Sequence, residues 1–91
     1  MARIIVTDQF DADIKVMKAR DAWDADLVVC VVDQFDEQGK DELWHYVESE
    51  RDATCKIFWV DNAWDADLKV LFTNNQWEAG WKKSSNLQGR L

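Results

Sequence analysis

The hexapeptide AWDADL occurs twice in the chain, at residues 22–27 and again at residues 63–68. The tetrapeptide DQFD is also repeated, at residues 8–11 and 33–36. Both repeats contain one aromatic residue, and in most copies an Ala, an Asp and a Leu or Ile follow it. Self-similarity at a regular spacing predicts a fold built of small equivalent units.

Six copies of this unit can be aligned when the aromatic residue serves as the marker, with an arginine at the marker position of the fourth copy. The markers are Phe10, Trp23, Phe35, Arg51, Trp64 and Trp77. Copies three apart are separated by 41 or 42 residues, which indicates that a half of three units has been duplicated.

A residue of the N-cap type lies two positions before every marker, and an acidic residue follows the marker directly. The N-cap residues are Asp8, Asp21, Asp33, Ser49, Asn62 and Asn75. This pattern resembles a capping box, in which a side chain accepts hydrogen bonds from the first turn of a helix. We therefore predict one helical turn at each marker.

A short run of β-forming residues follows each turn, as in IKVMKA, LVVCVV and CKIFWV, and RIIV near the amino terminus supplies a further strand. Alternation assigns one face of these strands to the core. The other face is also apolar beyond its first lysine, and it needs a cover that the rings of the turns could supply. Whether those rings pack in this way or stay exposed is left open by the sequence.

The fold class that we expect is mainly β, with six short strands joined by one-turn helical caps. Parallel neighbours normally need a crossover of a dozen residues or more, so we expect an antiparallel meander closed into a small barrel. An open or folded-over sheet and a β-solenoid are the alternatives. Residues 1–83 form the repeat domain, and residues 84–91 are expected to be a solvated tail.

The unit, written as aromatic-x-Ala-Asp-Leu-x-Val and followed by a Val-Asp turn, resembles that of a family of small uncharacterised bacterial proteins built of such tandem units. The resemblance runs from Arg3 to about Lys83. It departs from the pattern at Arg51 and at Glu37, and it implies no activity.

The chain is acidic, with a formal net charge of -7 and a pI near 4.5. This charge disfavours binding to nucleic acid and to anionic membranes, and it favours a basic partner. No apolar run approaches the length of a membrane span and no leader is evident, so we expect a cytoplasmic location. The oligomeric state stays open.

Residues capable of catalysis are few. His45 is the only histidine and lies between apolar residues, while Cys30 and Cys55 are expected to be buried free thiols. The Asp pairs of the DAD motifs are expected to act as caps and as partners of strand lysines, because no calcium loop is present. We therefore expect no enzyme activity, no cofactor and no metal site.

These features favour a non-catalytic protein–protein interaction module with an acidic, aromatic-rich surface. The residues expected to make contact are Phe10, Trp23, Phe35, Arg51, Trp64 and Trp77. The alternatives are an acidic inhibitor or immunity protein that blocks a basic site, a small-molecule-binding barrel, and a carboxylate hydrolase.

Overall fold

The computed structural model describes residues 2–33, 41–89 and 91. Within these residues, seven strands and two 3-10 turns are formed. The strands are β1 (Ala2–Val6), β2 (Ile14–Lys18), β3 (Leu27–Val31), β4 (Leu43–Tyr46), β5 (Cys55–Trp59), β6 (Leu68–Thr73) and β7 (Gly80–Trp81). The 3-10 turns are Glu50–Asp52 and Gln76–Glu78.

Six of the strands close into a barrel in the order β4-β1-β5-β2-β6-β3, and β3 pairs with β4 to complete the circle. All pairings among these six are parallel, and only the short β7 adds to β3 in the antiparallel sense. The expected closed barrel of six strands is therefore present. The antiparallel meander and the β-solenoid are both wrong, and so are helical caps beyond the two 3-10 turns of the described residues.

The two halves of the chain interleave around the barrel. β1, β2 and β3 stand two positions apart, and β5 and β6 fill the gaps between them, while β4 lies between β3 and β1. The chain thus travels around the barrel nearly twice, and the strands of its second lap insert between those of the first.

The register explains how parallel strands can be joined by short connections. The first residues of four strands pair with the third residue of a neighbouring strand, in the pairs Ile14–Ile57, Leu68–Val16, Leu27–Val70 and Cys55–Ile4. The offset differs at β4, because Leu43 pairs with the fourth residue of β3 and Ala2 pairs with the second residue of β4. This stagger tilts the strands strongly and places equivalent residues at a similar height along the barrel axis.

The same offset removes the strain that parallel connections were expected to carry. Val6, the last residue of β1, pairs with Ile57 of β5, and Ile14, the first residue of β2, pairs with the same Ile57 on the other side. Val6 and Ile14 therefore lie opposite each other across β5. The connection of residues 7–13 therefore does not have to run back along the length of a strand. It only has to cross one intervening strand, a sideways distance of about 10 Å.

Inward-facing side chains form three layers. The first, at the amino ends of the strands, contains Ala2, Ile14, Leu27, Cys55 and Leu68, all buried. The second contains Ile4, Val16, Val29, Trp44, Ile57 and Val70, each with 0% exposure. The third, at the carboxyl ends, contains Val6, Lys18, Val31, Tyr46, Trp59 and Phe72, which are exposed or half-buried. The core is thus a filled barrel interior.

The carboxyl-terminal segment covers the amino end of the barrel. Leu91 is buried and Leu87 packs against the core, and together with Asp13, Ile14 and Cys55 they line a cavity of about 220 Å³. Most other described residues of this segment are exposed, so Leu87 and Leu91 are the residues that dock it on the barrel. The segment docks because its two leucines shield first-layer side chains that would otherwise face water.

Asp41 fixes the segment in place. Its carboxylate accepts hydrogen bonds from Trp81 Nε1 at 3.1 Å, from the Leu91 backbone N–H at 3.3 Å, and from the Gly89 backbone N–H. Gly89 has a φ of 82°, a left-handed conformation that a residue with a Cβ rarely adopts.

Candidate aromatic interface

A turn is present at every marker within the described residues. Asp24 N–H donates to Asp21 O at 3.1 Å and Asp65 N–H donates to Asn62 O at 3.1 Å, and the other turns have similar backbone bonds. The turn positions were therefore predicted correctly. The third marker, Phe35, lies outside the described residues.

The capping boxes were mostly wrong. Asp8 does cap its turn, because its Oδ1 accepts from the N–H groups of Phe10 and Asp11, both at 3.0 Å. Ser49 and Asn75 make no side-chain cap hydrogen bond. Backbone bonds between residues three apart close these turns.

The second Asp of each DAD motif clamps the strand beside it. Lys56 N–H donates to Asp13 Oδ2 at 3.0 Å, and Asp13 N–H donates back to Lys56 O at 2.8 Å. The same reciprocal pair joins Asp26 to Lys69 and Asp67 to Lys15, and in the fourth unit Thr54 clamps Arg3. These bonds hold the carboxyl-terminal end of each of these turns against the barrel wall.

Beside the second unit, alanines and not the marker ring cover the outer wall of the barrel. Ala25 is 0% exposed and, with Ala19, packs against Val28 and Leu71. The Ala25 methyl faces the wall, and the turn that carries it is closed by backbone hydrogen bonds. The marker side chain two positions earlier then points away from the protein.

The marker rings are consequently among the most exposed side chains. The exposed fractions are 88% for Phe10, 79% for Trp23, 83% for Trp64 and 84% for Trp77. Arg51, the marker of the fourth unit, is also exposed. The sequence left open whether the marker rings pack on the barrel or stay exposed, and the four described rings are exposed.

These four rings surround much of the barrel, and we call Phe10, Trp23, Trp64 and Trp77 the aromatic belt. The turns of Phe10, Trp64 and Trp23 cross the neighbouring strands β5, β2 and β6, since both ends of each turn are hydrogen-bonded to the strand between them. The turn of Trp77 contacts β3, and the turn of Arg51 crosses β1. Because equivalent residues share one height, the four rings and Arg51 form a circumferential band.

Carboxylates accompany the belt. Asp8 and Asp11 flank Phe10, and Asp65 follows Trp64, and all three are exposed. Asp24, which follows Trp23, forms a salt bridge of 3.3 Å with Lys69. Glu78, which follows Trp77, accepts a hydrogen bond of 2.9 Å from Thr73 Oγ1.

A groove lies between the turns of Trp23 and Trp77. It has a volume of about 430 Å³, and its lining includes Ala22, Leu71, Phe72, Trp77 and Glu78. The groove is open and largely apolar, so the belt has a recess as well as protruding rings at this point.

The carboxyl-terminal mouth of the barrel carries an aromatic cluster that the sequence did not single out. The ring centroids of Trp44 and Phe72 are 6.0 Å apart, as are those of Trp59 and Phe72, and Lys18 Nζ lies 5.9 Å from the Phe72 centroid. The available signal was that the fifth residue of β5 and of β6 is aromatic, and that this position faces inward where the barrel ends.

The residues that could perform catalysis are His45 and the two thiols, Cys30 and Cys55. His45 Nδ1 is 2.9 Å from Val32 O. Cys30 and Cys55 are free and buried, as expected, and burial raises the pKa of Cys55 to about 12, which leaves its thiol weakly nucleophilic at neutral pH. Within residues 2–33, 41–89 and 91, no group of three or more His, Cys, Asp or Glu side chains is arranged to hold a metal ion.

None of the elements in the described part of the chain is a helix of the length and hydropathy that crossing a bilayer requires.

Comparison with known proteins places the fold. Neither the curated proteins nor the solved structures contain a significant match. Residues 1–82, which include all seven strands, match the family described as the 7(1) septoil knot domain. The name fits a chain whose second lap around the barrel inserts between the strands of its first. The protein belongs to the 7(1) septoil knot domain family.

Proposed function

We propose that this protein is a non-catalytic protein–protein interaction module and that the aromatic belt is its contact surface. The observation that carries the proposal is the exposure of four marker rings, between 79% and 88%, at equivalent places around the barrel. An exposed aromatic ring contributes little to folding. Removing it from water on binding a partner contributes a large apolar area.

The fold itself gives the belt rings no structural task. The outer wall beneath the turn of Trp23 is covered by Ala19 and Ala25, and the turns are closed by backbone hydrogen bonds. A polar residue would serve equally well at each marker position, as Arg51 does in the fourth unit. Repeated exposure of apolar rings without a structural task is typical of interaction sites.

The partner that we propose is a protein with a basic surface. The net charge of -7 would attract such a surface over a distance and would repel nucleic acid and anionic lipid. The resemblance noted in the sequence adds the proposal that the protein is bacterial, and we propose with it the cytoplasmic location expected from the sequence. We also propose that the tandem aromatic unit is a feature that members of the family share.

The test compares proteins retained from a cell extract by three immobilised forms. The first is the wild-type protein, and the second carries Trp23→Gln, Trp64→Gln and Trp77→Gln. The third is a matched control with Val6→Gln and Val31→Gln, which removes exposed apolar side chains from the carboxyl-terminal mouth instead of the belt. We expect a partner that the wild-type protein and the mouth variant retain and the belt variant loses.

The purified partner should then bind in solution with a change in tryptophan fluorescence, since Trp23, Trp64 and Trp77 would leave water. Equal retention by the belt variant and the wild-type protein would contradict the proposal. Loss of retention by the mouth variant alone would move the contact surface to the end of the barrel.

A further inference from the structure

We infer that the aromatic belt recognises a cationic polypeptide segment, with a marker ring and a neighbouring carboxylate together accepting one arginine or lysine side chain. This inference rests on the proposed function, because it names the class of partner for the same surface. It follows from the geometry of the turns and from the charge of the chain.

Each turn places a ring and an acid on neighbouring residues at the surface. Trp64 is followed by the exposed Asp65, and Phe10 stands between the exposed Asp8 and Asp11. A guanidinium can lie over the face of a ring while its N–H groups bind a carboxylate beside it. Arginine suits this arrangement better than lysine, because its planar group stacks and is more weakly hydrated.

The protein's own cations use the same two contacts. Lys18 Nζ lies over the Phe72 ring at 5.9 Å, and Lys69 Nζ forms a salt bridge of 3.3 Å with Asp24, the acid that follows Trp23. The Trp23 turn therefore has one of its carboxylates partly engaged. We expect the turns of Phe10 and Trp64 to accept an external cation more strongly than the turn of Trp23.

The distribution of charge selects a cationic ligand over other ligands that stack on rings. The chain carries eighteen Asp and Glu residues against eleven Lys and Arg residues, so the belt lies in the field of an acidic molecule. Nucleic acid bases and sugars also stack on tryptophan. Nucleic acids carry phosphates, which the negative field of this protein repels, and neutral sugars are not attracted by that field.

Several equivalent turns make the binding multivalent. The belt positions share one height around the barrel, so an extended segment can contact neighbouring turns in succession. Once one turn holds the segment, contacts with the neighbouring turns form within the same complex, so each contact adds to the affinity. A peptide with several arginines should therefore bind much more tightly than the free amino acid.

The experiment measures binding of fluorescein-labelled deca-arginine, deca-lysine and an uncharged Gly-Ser decapeptide by fluorescence anisotropy at several salt concentrations. We expect deca-arginine to bind more tightly than deca-lysine, and the Gly-Ser peptide to show no binding. Trp64→Ala and Phe10→Ala should each weaken deca-arginine binding by about two- to five-fold.

A charge series and a gain-of-function variant sharpen the test. Asp65→Asn should weaken binding and lessen its salt dependence. Glu48→Gln is the matched control, since it removes the same charge next to the turn that carries Arg51 and no ring. Arg51→Trp should strengthen binding, because it removes a cation and adds a fifth ring to the band. Circular dichroism and thermal melting of each variant establish that the fold is kept.

Three results would overturn the inference. The first is deca-arginine binding that the ring substitutions leave unchanged, which would be a general charge effect. The second is absence of deca-arginine binding while belt-dependent retention of a protein persists, in which case the interaction module stands and its partner is not cationic. The third is belt-dependent binding of a neutral oligosaccharide such as cellohexaose in place of the peptide.

Discussion

At the scale of single residues, the second aspartate of each DAD motif has the clearest role. The sequence predicted that these aspartates pair with strand lysines. The pairs in the structure are Asp13 with Lys56, Asp26 with Lys69 and Asp67 with Lys15. The carboxylate binds the lysine's backbone N–H, however, and not its ammonium group. A carboxylate thus stands where a parallel neighbour would otherwise present a carbonyl.

A substitution at Asp67 tests this role. Asp67→Ala leaves the Lys15 N–H without its acceptor, and we expect the free energy of unfolding to fall by about 1 to 2 kcal/mol. Asp67→Asn should lose less, because its amide oxygen can still accept. Urea denaturation followed by tryptophan fluorescence provides the measurement.

The matched control is Asp65→Ala, two residues earlier in the same turn, where the exposed carboxylate has no such bond to a neighbouring strand. It should change stability by less than about 0.5 kcal/mol. Equal effects of Asp65→Ala and Asp67→Ala would show that the clamp contributes nothing measurable.

At the scale of elements, the strands were predictable and their order was not. The alternation in IKVMK and CKIFW placed β2 and β5 within a residue of their observed ends, because a buried face imposes a period of two on any strand. The direction of pairing depends on the offset between strands that are distant in sequence. No local pattern encodes that offset, and the usual length of parallel crossovers pointed to the wrong answer.

The candidate site was predicted to a similar extent. The spacing of the units identified Trp23 and Trp64 as equivalent residues and placed them in turns. It did not show which side chain of the turn faces the barrel, since a ring and an alanine two positions later can each cover an apolar wall. The structure assigns that task to Ala25 and leaves the ring in water.

Removal of the carboxyl-terminal segment should destabilise the barrel. Ending the chain after Lys83 deletes Leu87 and Leu91, which cover the first layer of the core. We expect the free energy of unfolding to fall by about 2 to 4 kcal/mol. The thiol of Cys55 should also react faster with a disulfide reagent at pH 8, because water would reach it and its pKa would fall from about 12.

A background of Cys30→Ala isolates the signal of Cys55 in this measurement. The control is Asn86→Ala in the full chain, which changes an exposed side chain of the same segment. An unchanged Cys55 reaction rate after truncation would mean that the segment does not shield the amino end of the barrel.

At the scale of the whole molecule, the interleaving of the two laps makes nearly all strand pairing long-range. The clamps that join one half to the other link residues 43 to 52 positions apart. Domains whose contacts are so distant in sequence fold slowly, because loop closure must precede the stabilising contacts.

Neither half of the chain should therefore have stability of its own. Residues 1–33 contain β1, β2 and β3, none of which pairs with another of the three. We expect this fragment to show the circular dichroism of an unfolded chain at a concentration where the full protein shows its sheet signal. Cooperative melting of the monomeric fragment would contradict the interleaved order.

The order of the strands around the barrel also decides what the nascent chain experiences during translation. β1, β2 and β3 leave the ribosome before β5 and β6, which must pair with them on both sides. For that interval the growing polypeptide exposes the apolar residues of three strands and has no sheet in which to bury them. Synthesis of the second half ends this exposure, and until the last strands emerge the unpaired strands of the first half are prone to aggregate.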